Sequence, residues 1–258
     1  MSGPEGAPVL SLDAPGRATL TLNRPRHRNR LHREDLFALQ AHFSKLAAMP
    51  DLRVLVLTGA GRVFCAGFNL DELEQADAAS ADPRLFEHMV DALEALPVPT
   101  IARLNGSVFG GATDLALACD FRVGVQGMAL RMPAARLGLH YYPGGLQRYV
   151  ARLGLSAAKR LFLLAESVPG DELLRIGYLD ALAAPEALDG AVEALAASLL
   201  AGAPLALQGM KLSLNEIARG EIDLSRLRER EARCAQSHDL REGLAAFSQR
   251  RAPRFGGR

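Results

Sequence analysis

The residues best equipped for chemistry lie between Ile101 and Asp120, in the run I-A-R-L-N-G-S-V-F-G-G-A-T-D-L-A-L-A-C-D. An apolar strand runs into Asn105-Gly106, the Gly110-Gly111 pair opens a short apolar helix, and the carboxylate of Asp114 stands on its first turn. Upstream, Phe64-Cys65-Ala66-Gly67-Phe68-Asn69 offers a second loop of the same kind, with a strand before it and a helix after. Two unpaired backbone N–H groups aimed at one point stabilise an oxyanion, and a carboxylate beside them moves a proton. This is the equipment for enolate chemistry on a thioester.

The flanking elements must hold these loops. Val9–Asp13 and Ala18–Leu22 flank Ala14-Pro15-Gly16-Arg17 and read as a hairpin. Leu36, Leu39, Phe43 and Leu46 recur at helical spacing, which predicts a helix over 33–48. Arg53–Thr58 is a short apolar run suited to a strand covered on both faces. Leu85, Met89, Leu93 and Leu96 mark a helix closed by Pro97 and Pro99. Strands over 100–104 and 121–125 then bracket a helix over 111–119. This β-α-β-α-β order predicts an α/β fold with a largely parallel sheet. From about residue 145 the pattern turns helical, with segments over 156–165, 186–201, 204–219, 223–236 and 240–250. The expected division is a core over 1–203 and a helical C-terminal region over 204–258.

Composition narrows the function classes. The chain has 258 residues, 49% of them hydrophobic, enough to bury a sizeable core. A net charge of +1 and the absence of Trp argue against a nucleic-acid partner. No apolar run approaches the ~20 residues of a membrane span. Met1–Gly6 reads as a loose tail without the features of a signal peptide. Cys65, Cys119 and Cys234 are odd in number and far apart, which fits a reduced, cytoplasmic protein. Gly59-Ala60-Gly61 follows a strand, but Phe64 stands where a dinucleotide-binding loop needs its third glycine. No G-K-[ST] follows for a phosphate loop, and the six histidines show no metal-ligand spacing.

Over nearly its whole length the chain resembles the crotonase superfamily, the enoyl-CoA hydratase/isomerase family. The resemblance rests on Asn23-Arg24-Pro25 with Asn29 and Leu31, Leu57-Thr58-Gly59, Phe64-Cys65-Ala66-Gly67, Asn105-Gly106, Gly110-Gly111 and Cys119-Asp120. It continues through Pro133, Leu137-Gly138, Gly144-Gly145, Gln147-Arg148 and the closing Phe247–Phe255 segment. It implies a crotonase (ClpP-like) spiral of ββα turns with a C-terminal trimerisation region, assembled as a homotrimer or a dimer of trimers. The implied ligand is an acyl-CoA thioester, with coenzyme A as part of the substrate and no separate cofactor or metal. Its carbonyl oxygen would lie between the backbone N–H groups of Phe68 and Gly111.

Asp114 falls where hydratases of the family carry a glutamate acid/base; its bland alternative is a first-turn acid complementing the helix dipole. Ala134 stands where they carry a second glutamate, in the acid-free run Arg131–Arg136, and alanine transfers no proton. Hydration at an ordinary rate is therefore not expected, and a slow residual hydration through Asp114 alone is left open. Gly106–Ala112 with Leu139-His140-Tyr141 partly resembles the methylmalonyl-CoA decarboxylase branch, in which Tyr141 would donate to a substrate carboxylate or water. Simple aromatic packing is the other reading of Tyr141, and His140 is either an acid/base or a surface group. Tyr142 takes the place of the acid used in dienoyl isomerisation. Cys65 reads as a small buried residue without a nucleophile's partners.

Arg24, Arg26, Arg28, Arg30 and Arg33 crowd one loop, and one or two of them suit the phosphates of CoA. By the same resemblance, Ala66 and Phe68 would contribute to CoA binding. Phe247, Arg250 and Arg251 would close the CoA site from this subunit or another; alternatively Leu240, Leu244 and Phe247 cover core. The functions left open are hydratase/isomerase-type chemistry, decarboxylation, thioester hydrolysis, and CoA binding with little catalysis. The Arg-rich segment 226–233 alternates with Glu229 and Glu231 and reads as a solvated face, not an RNA site.

Overall fold

The computed structural model describes residues 5–74, 82 and 84–258, with only the backbone at 73 and 74. The tail expected at the start therefore lies, over Met1–Pro4, outside the described residues. The chain opens with the hairpin β1 (Val9–Ala14) and β2 (Arg17–Leu22), then α1 (Arg33–Ala47), β3 (Val54–Gly59), α2 (Leu70–Glu74) and α3 (Leu85–Glu94). β4 (Thr100–Leu104), β5 (Val108–Phe109), α4 (Ala112–Leu117), β6 (Phe121–Val125), β7 (Ala129–Arg131) and α5 (Pro143–Lys159) follow. Next come β8 (Val168–Pro169), α6 (Gly170–Arg175), β9 (Ala181–Ala183) and α7 (Leu188–Leu200). Three helices end the chain: α8 (Pro204–Arg219), α9 (Leu224–Ala235) and α10 (His238–Ser248).

Six strands form the main sheet in the order β1-β2-β3-β4-β6-β9, parallel except for the β1–β2 hairpin. A smaller sheet joins β5, β7 and β8. The continuous apolar run of β3 is explained by burial on both faces. With a side-chain period of two, Leu55 and Leu57 enter the larger core, while Val54 and Val56 meet Ile101, Val123 and the Val192–Ala196 face of α7. The larger core is roofed by α1 and α3, through Leu36, Leu39 and Phe43 on one helix and Met89, Val90 and Leu93 on the other. Burying each such side chain contributes roughly 1.5–3 kcal/mol.

Side-chain caps fix the helix ends. Asp223 accepts from the backbone N–H groups of Ser225 and Arg226, and Ser237 Oγ accepts from Leu240 N–H at 3.0 Å. α8 begins with Pro204 and ends at Gly220 in the left-handed conformation. It is tied to the core by Lys211, whose ammonium lies 2.8 Å from both the Val98 carbonyl and Asp120 Oδ2. Among the described residues no single helix is long and apolar enough to cross a membrane.

Two expectations need correction. The helix assigned to 156–165 starts at Pro143 and is broken at Gly154, where φ is 78° and ψ 162°, before ending in a π turn over Arg160–Leu164. Leu240, Leu244 and Phe247 do not cover this chain's core: they are 44%, 63% and 86% exposed and form a stripe at i, i+4 and i+7.

Candidate active site

Two asparagines and one register place the paired loops. Asn29 Nδ2 donates to the carbonyls of Ala60, Val63 and Phe64, and Asn29 Oδ1 accepts from Arg24 N–H. Asn105 Nδ2 donates to the Gly61 carbonyl at 2.8 Å. The chain leaving β3 is thereby stitched to its neighbours and runs alongside β5. Phe64 N–H donates to the Ser107 carbonyl and Phe109 N–H to the Cys65 carbonyl, a parallel bridge. One step further on, the loops abut. A Cβ on Gly67 would lie 2.7 Å from the Phe109 carbonyl oxygen and 3.3 Å from Gly111 N. Glycine is required there, and its φ of +91° says the same.

The neighbouring amides are spoken for, and two are not. Ala66 N–H donates to the Arg28 carbonyl, Asn69 N–H to Leu31 and Gly110 N–H to Arg131. Among the described residues, neither Phe68 N–H nor Gly111 N–H has a protein acceptor. Phe68 follows Gly67, and Gly111 N is the atom Gly67 approaches, so the two amides flank the contact between the loops. Both residues are half-buried, and donors left free there are suited to an oxygen that gains negative charge.

Asp114, on the first turn of α4, is fully buried. Its Oδ2 accepts from the Tyr142 hydroxyl and, at 2.7 Å, from Arg148 Nη1. Its Oδ1 is equally buried and, among the described residues, has no partner. Burial raises the pKa of this carboxyl above its ordinary value, and the opposing pull of Arg148 and of the Tyr142 hydrogen bond does not cancel that rise. Burial, then the Asp114 charge, holds the Tyr142 phenol well above its usual range, so it is a donor at any ordinary pH. Arg148 also reaches Glu94, at 2.9 Å from Nε, and Asp91, at 2.8 Å from Nη2. Burial disfavours the guanidinium charge, yet Asp114 and Glu94 outweigh it and keep Arg148 protonated.

Aromatic rings line the approach. Phe86 packs on Gly111, where a Cβ would lie 2.6 Å from the ring's Cζ. Phe86 also meets Phe68 edge-on at 6.2 Å between centroids, and Tyr142 at 6.1 Å. Tyr141 stacks on Tyr142 at 4.3 Å, and both rings fit because Gly145 has no side chain. Ala134, also buried, opens a 3-10 turn over Ala134–Leu137 and adds no acid.

Of the other expected site residues only Tyr141 adjoins this cluster, through Tyr142. Tyr141 is buried, with its hydroxyl 3.4 Å from that of Tyr142, so packing describes it better than substrate contact. His140 is exposed, and its Nδ1 lies 2.8 Å from the Tyr141 carbonyl oxygen. Arg24 is already matched by Asp35 and Glu34. Arg26 is exposed near Glu5, and Arg30 lies 3.8 Å from Asp71. Arg28 is exposed and, among the described residues, has no carboxylate partner. Phe247 sits on the exposed end of α10, Arg250 is exposed two residues beyond it, and Arg251 is held by Glu242. Cys65 is buried and its thiol donates to the Asn29 carbonyl; burial pushes its pKa up to about 12, which removes it as a nucleophile. Asp91, Glu94 and Phe86 are not singled out by the sequence, and Arg148 enters there only through the family resemblance, without a role at the site. The available signal was Glu94 on the same face as Met89, Val90 and Leu93, a carboxylate three residues after Asp91 among residues that are buried. Among the described residues no cluster of His, Cys, Asp or Glu side chains is arranged to hold a metal ion.

Comparison with known proteins bears on the fold and the family. The pattern of the enoyl-CoA hydratase/isomerase family matches residues 15–258. The 2,3-dehydroadipyl-CoA hydratase of Escherichia coli is 32% identical over 93% of this chain and 94% of its own. The enoyl-CoA isomerase/hydratase fer4 of Mycosarcoma maydis is also 32% identical, over 97% and 96% of the two chains. The crystal structure of an enoyl-CoA hydratase from Bacillus anthracis superposes with a TM-score of 0.85 at 27% identity, covering 98% of this chain and all of that one. The fold is the crotonase fold with a helical C-terminal region, and the chain belongs to the enoyl-CoA hydratase/isomerase family.

Proposed function

We propose that this protein binds an acyl-CoA thioester and moves a proton through an enolate, as an isomerase of the acyl double bond and not as an ordinary hydratase. One combination carries the reading: among the described residues the amides of Phe68 and Gly111 have no acceptor, the loops that bear them abut at Gly67, and Asp114, three residues beyond Gly111 on the first turn of α4, keeps a buried Oδ1 with no partner. Adding water to a double bond benefits from two carboxylates, one for the water and one for the α-carbon. Ala134 stands where the second would be. Moving a double bond needs only one base. Asp114 Oδ1 takes the proton from C2 of a 3-enoyl thioester, and the C–H electron pair passes to the carbonyl oxygen between the two amides. The pair returns to form the C2=C3 bond, the former C3=C4 pair takes the proton back at C4, and Asp114 is left ionised. The amides stabilise the charge at the moment it forms, typically by a few kcal/mol for each donor.

Coenzyme A enters as part of the substrate, and Arg28, exposed and without a carboxylate partner among the described residues, is left free for its phosphates where Arg24, Arg26 and Arg30 are near carboxylates. The apolar stripe of Leu240, Leu244 and Phe247 supports assembly of the C-terminal region, 204–258, into a trimer. The deciding experiment offers the purified protein a 3-enoyl and a 2-enoyl thioester in parallel. Absorbance of the conjugated product should appear from the first, and loss of that absorbance from the second should be at least ~100-fold slower. Faster hydration than isomerisation would overturn the proposal. Release of thiol or of carbon dioxide from suitable thioesters would redirect it to hydrolysis or decarboxylation.

A further inference from the structure

We propose that Glu94, acting through Arg148, is a positioning residue that tunes the proton affinity of Asp114. The inference rests on the reading of Asp114 as the proton-carrying group. A guanidinium 2.7 Å from a lone carboxylate would hold it ionised far into acid. Here the same guanidinium is shared. Arg148 Nε and Nη2 grip both oxygens of Glu94, at 2.9 and 3.3 Å, and Nη2 also reaches Asp91. Asp114 therefore faces a cation that two other carboxylates have largely neutralised. The Arg148 side chain is 2% exposed and that of Glu94 10%, so water does little to screen the exchange. This leaves Asp114 a stronger base than a simple ion pair would allow, while Arg148 and Tyr142 still fix its Oδ2.

The other charged and titratable groups around the cluster are accounted for. From α5, Arg152 approaches Glu94 at 3.2 Å, and from α8, Arg219 does so at 3.4 Å. From β6, Arg122 is taken by Asp180 and by the carbonyls of Tyr178 and Cys119. The phenols of Tyr141, Tyr142, Tyr149 and Tyr178 all lie well above their usual range through burial and stay neutral. Glu94 itself is ionised: burial opposes its charge, but Arg148 and then the other two arginines overcome it.

The test titrates Asp114 directly, in protein carrying carboxyl-13C aspartate, with Asp114→Asn assigning the signal. Glu94→Gln keeps an oxygen for Arg148 but removes the charge. Its Asp114 midpoint should fall by about half to one pH unit, and the acid limb of kcat/KM for isomerisation should move down with it. Asp91→Asn, at a half-exposed position, should shift the midpoint the same way by less. Arg219→Gln removes a cation from the far side of Glu94 and should move it upward, so the inference remains testable if Glu94→Gln fails to fold. A role confined to stability predicts a lower Tm with the midpoint unmoved in all three variants, and that result would overturn the inference. Absence of isomerisation at every pH, with the midpoint shifts intact, would count against the proposed reaction alone.

Discussion

Gly67→Ala is the sharpest probe of the paired amides. Two costs can be read from the structure. At φ +91° an alanine backbone is strained by roughly 1–2 kcal/mol. Its Cβ would also lie 2.7 Å from the Phe109 carbonyl and 3.3 Å from Gly111 N, against an ordinary contact of about 3.5 Å. The two loops must therefore part by something approaching 1 Å, and errors of that size in a reacting geometry cost on the order of 100-fold. Gly127→Ala separates the two costs, because Gly127 has φ +81° and nothing within 4 Å of its Cβ position. Both variants should lose a few degrees of Tm, at about 2–4 °C per kcal/mol for a chain of this length. Only Gly67→Ala should lose about 100-fold in kcat for isomerisation, with CoA affinity by calorimetry changed by less than about fivefold. Equal kcat in Gly67→Ala and wild type, or equal losses in the two variants, would refute the argument that these amides hold the oxyanion.

Asp114→Asn should reduce turnover at least tenfold, and unchanged kinetics would remove Asp114 from the mechanism. Because its folded pKa is raised, Asp114 favours folding fully only below its ordinary value of about 3.9 and loses that contribution as pH rises through the folded value. The asparagine variant should gain on wild type in Tm from pH 4 to 8, and a constant difference would contradict the raised pKa. Arg148→Ala leaves buried carboxylates unpaired, worth about 3–5 kcal/mol, and should lower Tm by roughly 10 °C; a drop under 3 °C would show that the cluster is not structural. Phe86→Ala removes the ring beside Gly111 and should favour longer acyl chains by about fourfold in kcat/KM for each added methylene, at ~0.8 kcal/mol per CH2. An unaltered chain-length profile would clear Phe86 of that role. Leu244→Asp should shift sedimentation toward monomer if the α10 stripe joins subunits.

The strands and helices that bury one face were legible because their periods are strong: β3, β4, α1 and α8 lie within a residue or two of their predicted spans. The two- and three-residue strands β5, β7, β8 and β9 were not, since so short a run carries no period and exists only through its tertiary partners. At the site, Gly111 and Asp114 were readable because glycine pairs and first-turn acids have local meaning. The Tyr142–Asp114 and Arg148–Asp114 bonds join residues 28 and 34 positions apart, a relation set by packing of α5 against α4. The loop arginines show the reverse failure. Their clustering was plain, but Arg24 is consumed by Asp35, which serves at the same time in the cap of α1.

The two oxygens of Asp114 are not equivalent, and that has a stereochemical outcome. In the proposed reaction, with Oδ2 fixed by a phenol and a guanidinium, a hydrogen lifted by Oδ1 would be set down by Oδ1, from the same side of the acyl plane. Migration of the double bond would be suprafacial. The sealed carboxyl would also tend to hand back the very atom it removed, so that product formed in heavy water retains much of its original light hydrogen.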